Sequence, residues 1–276
     1  MRRRHALPGL AALLAACSPT GFANFVTPPG AAEEVTDLAY GPLPRYRLDL
    51  YLPPAPRALL VFFHGGSWQS GSRRDYPFLG RALAAEGLAV AIPDYRLWPE
   101  AGWPGFVEDA ALAVRFLAAG GAPQVAGLKL HVGGHSAGGY LAACLALDPT
   151  WLGAAHALLA GAVLMSAPIN WQPRRGALVP MFAAAPGGRI MAVRDRTTLA
   201  TAPPTLLLHG GADSVVQPDQ AQTLASALED AGRPVRLRIF PGVGHIGVIT
   251  PLVPAARRWG LAEAPVGAEI TAFTAA

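Results

Sequence analysis

Residues 134–138 read Gly-His-Ser-Ala-Gly, a G-x-S-x-G pattern that sets Ser136 between two glycines. A serine hydroxyl is a weak nucleophile and turns reactive only when a base removes its proton and an acid orients that base. The apolar run Leu128–Val132 precedes the pattern and the helix-forming stretch Ala137–Leu147 follows it. That order puts Ser136 on a sharp strand-to-helix turn, where bulky neighbours would collide and the helix N-terminus favours developing negative charge.

Seven histidines are available as the base. His5 lies in the N-terminal segment, His64 and His135 sit inside glycine motifs, and His131 and His156 fall in a strand and a helix. His209 ends an apolar run beside Gly210-Gly211, where either a structural hydrogen bond or proximity to the site would account for it. His245 follows Gly242-Val243-Gly244, in a loop after the run Val235–Phe240, and is the expected base. Two acids compete to orient it. Asp213 lies just past the run Thr205–Leu208, whereas Asp219 starts a helix, where the dipole already accounts for a carboxylate. A second glycine motif, His64-Gly65-Gly66-Ser67-Trp68, follows the run Ala58–Phe63 and would let backbone amides approach a substrate oxygen. One well-aimed amide is worth about 10²–10³ in rate.

Other chemistries lack support. Two cysteines exclude a multi-cysteine metal site and a disulfide scaffold, and no HExxH or P-loop lysine pattern is present. Gly242–Gly247 formally fits GxGxxG, but Pro251 and Pro254 interrupt the helix that a dinucleotide site needs.

These residues must be held by the elements around them. Ala58–Phe63, Ala89–Ile92, Leu128–Val132 and Thr205–Leu208 are continuous apolar runs, as strands buried on both faces require. Gly161–Ser166 and Val235–Phe240 are weaker versions. Arg45–Leu52 alternates polar and apolar residues, as expected of a half-buried antiparallel edge strand. Helices are expected over Tyr76–Glu86, Phe106–Ala119, Ala137–Leu147 and Pro218–Ala231. Strands alternating with helices of this length predict an α/β fold: a mostly parallel twisted sheet with helices on both faces and function at the carboxyl ends of the strands.

Taken together, His64–Trp68, Ile92–Pro99 (IPDYRLWP), Gly134–Gly139 and the pair Asp213/His245 resemble the α/β-hydrolase superfamily. Within it the likeness is to carboxylesterases of the hormone-sensitive-lipase and feruloyl-esterase-like type, and the chain order Ser136, Asp213, His245 is the one expected there. The resemblance implies a serine esterase that needs no cofactor and acts on a small-molecule ester through Ser136, His245 and Asp213. It also implies oxyanion amides from Gly66, Ser67 and Ala137, with Gly65 as a further donor. Ser67 departs from the pattern, which has a third glycine there. Asp94-Tyr95-Arg96 is expected to brace its loop through an ion pair. An arylformamidase or amidase of the kynurenine-formamidase type shares similar HGG-W and GHSAGG segments, and a non-catalytic envelope lipoprotein is the reading outside enzymes.

The N-terminus carries its own signal. Arg2-Arg3-Arg4 precede an apolar stretch, Ala6–Ala16, too short to span a bilayer and suited to a signal peptide. Leu14-Ala15-Ala16-Cys17 resembles a lipobox, whose cysteine is acylated, with an ordinary secretory signal as the alternative. The expected division is a signal peptide over 1–16, a tether over 17–32 and a hydrolase domain over 33–276. The address implied is the bacterial cell envelope, periplasmic or outer-membrane, with membrane attachment through Cys17. Without the three N-terminal arginines, 19 basic side chains face 18 acidic ones, which argues against a nucleic-acid partner. A cap-like insertion is expected at about 167–203. Its Arg174, Arg175, Arg189, Arg194 and Arg196 form either a solvated basic surface or a positive cap favouring anionic acyl groups. Trp68, Tyr95, Trp98 and Trp103 would line an acyl pocket or pack in the core.

Overall fold

A computed structural model describes residues 19–193, 196–262 and 264–276. The expected signal peptide over 1–16, Cys17, Arg194 and Asp195 lie outside the described residues. The main sheet is built from β1 (Glu33–Ala39), β2 (Arg47–Leu52), β3 (Ala58–Phe63), β4 (Ala89–Pro93), β5 (Lys129–His135), β6 (Leu159–Met165), β9 (Thr205–Gly210) and β10 (Val235–Phe240). Their order is β1-β2-β4-β3-β5-β6-β9-β10. β1 and β2 run antiparallel to their neighbours, and every pair from β4 to β10 is parallel. A small antiparallel pair, β7 (Asn170–Trp171) and β8 (Ile190–Met191), lies in the 167–203 segment.

The helices are α1 (Pro19–Phe25), α2 (Pro77–Ala85), α3 (Gly105–Ala118), α4 (Ala137–Leu147), α5 (Leu178–Met181), α6 (Asp219–Asp230), α7 (Pro254–Arg258) and α8 (Val266–Ala275). Successive side chains of β3 serve opposite faces of the sheet. Leu59, Val61 and Phe63 join the core under α3, α4 and α6, while Ala58, Leu60 and Phe62 join the one under α2 and α8. The unbroken apolar run therefore reflects burial on two sides. α4 is buried along its whole length, which explains why its sequence shows no polar face.

Two expectations change. Arg45–Leu52 is antiparallel, as expected, but it is not the edge: β1 covers it, and β2 is almost wholly buried. β1 reads EEVTDLA and lacks a clean alternation because it is exposed at the rim and bulged between Val35 and Leu38. Part of the expected tether is a docked helix, because Asn24 of α1 accepts the Phe78 amide at 2.9 Å and donates to the carbonyls of Arg74 and Asp75. The ion pairs expected at Asp94-Tyr95-Arg96 are present, and their partners lie outside that segment. Asp94 pairs with buried Arg73, which also reaches Asp49 at 2.9 Å and Asp37, while Arg96 pairs with Asp109 at 2.6 Å.

Candidate active site

β5 ends at His135, and Ser136 begins the turn into α4 with φ 55° and ψ −121°. A non-glycine residue held there stores about 1–3 kcal/mol of strain. Two close approaches make the turn possible. A Cβ on Gly138 would lie 2.0 Å from the Phe63 carbonyl oxygen, and one on Gly134 would lie 2.4 Å from the Gly138 backbone. Any larger residue at either position would push α4 off the ends of β3 and β5. The Ser136 amide donates to the Met165 carbonyl at 2.9 Å, tying the turn to the end of β6.

The loop after β3 curls toward this turn. A Cβ on Gly65 would stand 3.4 Å from the Ser136 Cβ. Gly66, Ser67 and Trp68 all have positive φ, at 122°, 52° and 58°. Ser67 therefore occupies the glycine-like conformation of the third position with a side chain attached, and it faces the cavity that Ser136 lines. Among the described residues the amides of Gly66, Ser67 and Ala137 have no protein acceptor. The Gly65 amide differs: it donates to the Tyr76 hydroxyl at 3.2 Å. Burial pushes the Tyr76 hydroxyl up to about 12, against the opposing pull of the bond from Gly65. The loop is also braced through His64, whose Nδ1 donates to the Gly65 carbonyl at 2.8 Å, and Tyr95, whose hydroxyl donates to the His64 carbonyl at 2.9 Å. Burial keeps the His64 ring neutral by lowering its pKa.

On the far side of the sheet centre, the loop after β9 carries Asp213 and the loop after β10 carries His245. His245 Nδ1 donates to Asp213 Oδ2 at 2.8 Å, which leaves Nε2 as the free nitrogen. Asp213 Oδ1 accepts the Val215 and Val216 amides, both at 2.9 Å. Burial pushes the Asp213 carboxyl up, but the bonds from His245 and Val216 outweigh it and hold the group below the usual carboxylate range. Asp219 is exposed at the first position of α6 and makes no bond to His245; it lines the cavity instead. His209 donates from Nε2 to the Val216 carbonyl at 2.9 Å, bracing the acid's loop, and burial lowers its pKa. The GxGxxG-like stretch is this His245 loop, followed by 3-10 turns and not by a long helix.

Sequence reasoning missed one contact. His135, the residue before Ser136, presents Nε2 to the His245 carbonyl at 3.0 Å, with the two ring centroids 4.7 Å apart. Burial, and secondarily the neighbouring His245, lower its pKa to about 3, so its ring is neutral and Nε2–H is the donor. Nothing in the sequence pairs residue 135 with residue 245, because they meet only across the sheet edge.

A cavity of about 300 Å³ opens beside Ser136. Trp68, Ala137, Pro168, Leu178, Ile190 and Val216 supply its apolar wall, so the 167–203 segment closes one side. Arg174, Arg175 and Arg189 do not line it. Arg174 and Arg175 are exposed, and Arg189 donates to Asn170 at 2.8 Å. Asp219 is the charged side chain at this cavity among the described residues. Of the four aromatic candidates, Trp68 faces the cavity, Tyr95 is fully buried, and Trp98 and Trp103 pack partly buried against the core.

The architecture recurs in solved structures. An esterase from Pyrobaculum calidifontis superposes with a TM-score of 0.70 at 22% identity, covering 100% of this chain and 96% of that one. Thermogutta terrifontis esterase 2, phosphonylated by sarin, gives 0.66 at 23% identity, covering 86% and 99%. The fold is that of the α/β hydrolases. The BD-FAE family matches residues 48–152, and the prolyl oligopeptidase family matches residues 179–254. Among relatives, a probable isoprenylcysteine alpha-carbonyl methylesterase of Oryza sativa subsp. japonica is 29% identical over 240 residues, 76% of this chain and 57% of the rice protein. Esterase LipC of Mycobacterium tuberculosis is also 29% identical, over 75% of this chain and 58% of its own length. The chain thus spans a little over half the length of these relatives.

Proposed function

We propose that this α/β hydrolase cleaves carboxylic esters through an acyl-enzyme formed on Ser136. The bond from His245 to Asp213 carries the reading: it fixes the tautomer that leaves Nε2 unprotonated and ready to act as base. In the proposed reaction Ser136 Oγ attacks the ester carbonyl carbon while its proton passes to His245 Nε2. Asp213 stabilises the imidazolium. The amides of Gly66, Ser67 and Ala137, free of protein acceptors, hold the negative charge on the carbonyl oxygen. Gly65, whose amide already bonds Tyr76, contributes room for the substrate rather than a hydrogen bond. Collapse of the tetrahedral intermediate breaks the bond to the leaving alkoxide, which takes the proton from His245. Water repeats the sequence on the acyl-enzyme and releases the acid.

The relatives' names support esters over formamides as substrates. The apolar wall of the cavity, with Asp219 as its charged lining residue, supports an uncharged acyl group. Exposed Arg174 and Arg175 fit a solvated surface. Export and acylation at Cys17 belong to the same reading and rest on the Leu14–Cys17 pattern.

The test is hydrolysis of p-nitrophenyl acetate by the wild type and by Ser136→Ala. Turnover is expected to vanish in the variant while its circular dichroism and melting temperature stay unchanged. Retained turnover would overturn the assignment.

A further inference from the structure

Among the described residues, nine large hydrophobic side chains are exposed, and five of them belong to one region: Phe22 and Phe25 of α1, Ile246, Trp259 and Leu261. Phe22, Ile246, Trp259 and Leu261 line a shared apolar groove of about 240 Å³. The Phe22 and Trp259 rings stand 6.4 Å apart. Phe25 lies one helical turn beyond Phe22 on the same side of α1 and is 67% exposed. The helix is held in place: Ala23 is buried, and Asn24 bonds the start of α2 and the preceding turn. The two phenyl rings are thus presented outward by a docked element.

Contiguous exposed apolar surface of this kind marks an interaction site. Three features say what covers it. Trp259 sits at the margin with exposed Arg257 and Arg258 directly before it, and an indole flanked by cationic side chains suits the boundary between hydrocarbon and phosphate. Arg257 is 3.8 Å from Glu86 and still about half exposed. Cys17 precedes Pro19 by two residues, a reach of at most about 7 Å, so acyl chains on it would lie against α1. No helix among the described residues is long and apolar enough to cross a membrane, so contact would be at the surface.

We propose that this face rests on a phospholipid bilayer, with lipid hydrocarbon entering the groove between α1 and α7. Its orientation rests on the reading of Cys17 as an anchor, but the contact itself stands on the folded surface. Ile246 follows His245 directly, so the bilayer would meet the molecule at the rim that carries the proposed base.

The test uses the full chain carrying Cys17→Ser, so that no lipid is attached, and measures co-sedimentation with phosphatidylglycerol/phosphatidylethanolamine vesicles. Adding Phe25→Ser, Trp259→Ser and Leu261→Ser is expected to lower vesicle partitioning at least tenfold, with p-nitrophenyl acetate hydrolysis and circular dichroism unchanged. Because residues 1–16 are common to both chains, the difference isolates the face. If the triple variant misfolds, Arg258→Glu serves instead: it should weaken binding to these anionic vesicles several-fold and leave binding to neutral phosphatidylcholine vesicles unchanged. Equal partitioning of parent and variants overturns the proposal. So does loss of a dimer in sedimentation velocity with no change in vesicle binding, which would assign the face to a second copy. Palmitate labelling of the wild type against Cys17→Ser tests the anchor separately, so its failure leaves the vesicle result readable.

Discussion

The His135 ring donates a hydrogen bond to the His245 carbonyl at 3.0 Å, joining the residue next to Ser136 to the residue proposed to take its proton. Base and nucleophile loops come from β10 and β5, with β9 and β6 between them. A direct tie across that gap sets where the imidazole of His245 stands. Replacing His135 with Leu removes the donor and frees the loop, and displacement of a catalytic group by about 1 Å costs on the order of 10²-fold in rate. His135→Leu is expected to lower kcat about 10- to 100-fold with KM nearly unchanged. His135→Gln, which keeps an N–H donor, should recover part of that loss. Equal kcat in the wild type and His135→Leu would show that the tie does not position the base.

Asp213 and Asp219 separate cleanly by their surroundings. Asp213 is buried and bonded to His245, whereas Asp219 is exposed on the cavity rim. Asp213→Asn is expected to lower kcat by up to about 10⁴ by presenting the wrong hydrogen-bonding face to the imidazole. Asp219→Asn should change kcat on neutral esters less than threefold. Steady-state kinetics on p-nitrophenyl acetate check both, and the reverse order would move the acid to residue 219.

Stability should depend on pH through the buried neutral histidines. Burial holds His135 at about 3 and lowers His64 and His209 as well. In the unfolded chain such rings take up protons below about pH 6.5, while the folded His135 does so only near 3. Between those limits the unfolded state binds more protons, so stability falls as pH falls, by about 1.4 kcal/mol per pH unit for His135, and His64 and His209 act in the same direction. Urea midpoints should be flat from pH 7 to 8 and decline below 6.5. A midpoint that held level down to pH 5 would contradict the buried neutral state.

Much of this was legible from residue order because the relevant physics is local. Ala58–Phe63, Ala137–Leu147 and Val235–Phe240 keep their expected bounds: the first two are unbroken apolar stretches buried on all sides, and the third is an edge strand whose alternation follows its half exposure. Ser136 was legible because a tight turn needs both Gly134 and Gly138. β1 was not, because an exposed, bulged rim strand needs little apolar patterning. The docking of α1 was hidden for a different reason: it depends on Asn24 meeting the start of α2, more than fifty residues away. The roles of His135 and Tyr76 were equally hidden, since each is defined by a partner on another strand end.

The central claim is that Ser136 is a nucleophile activated by His245. Mass spectrometry after exposure to a fluorophosphonate probe tests it most directly. One adduct on the peptide containing Ser136 is expected in the wild type, with labelling at least 100-fold slower in His245→Ala. A folded wild-type chain that stays unlabelled, or one labelled at another serine, would contradict the account.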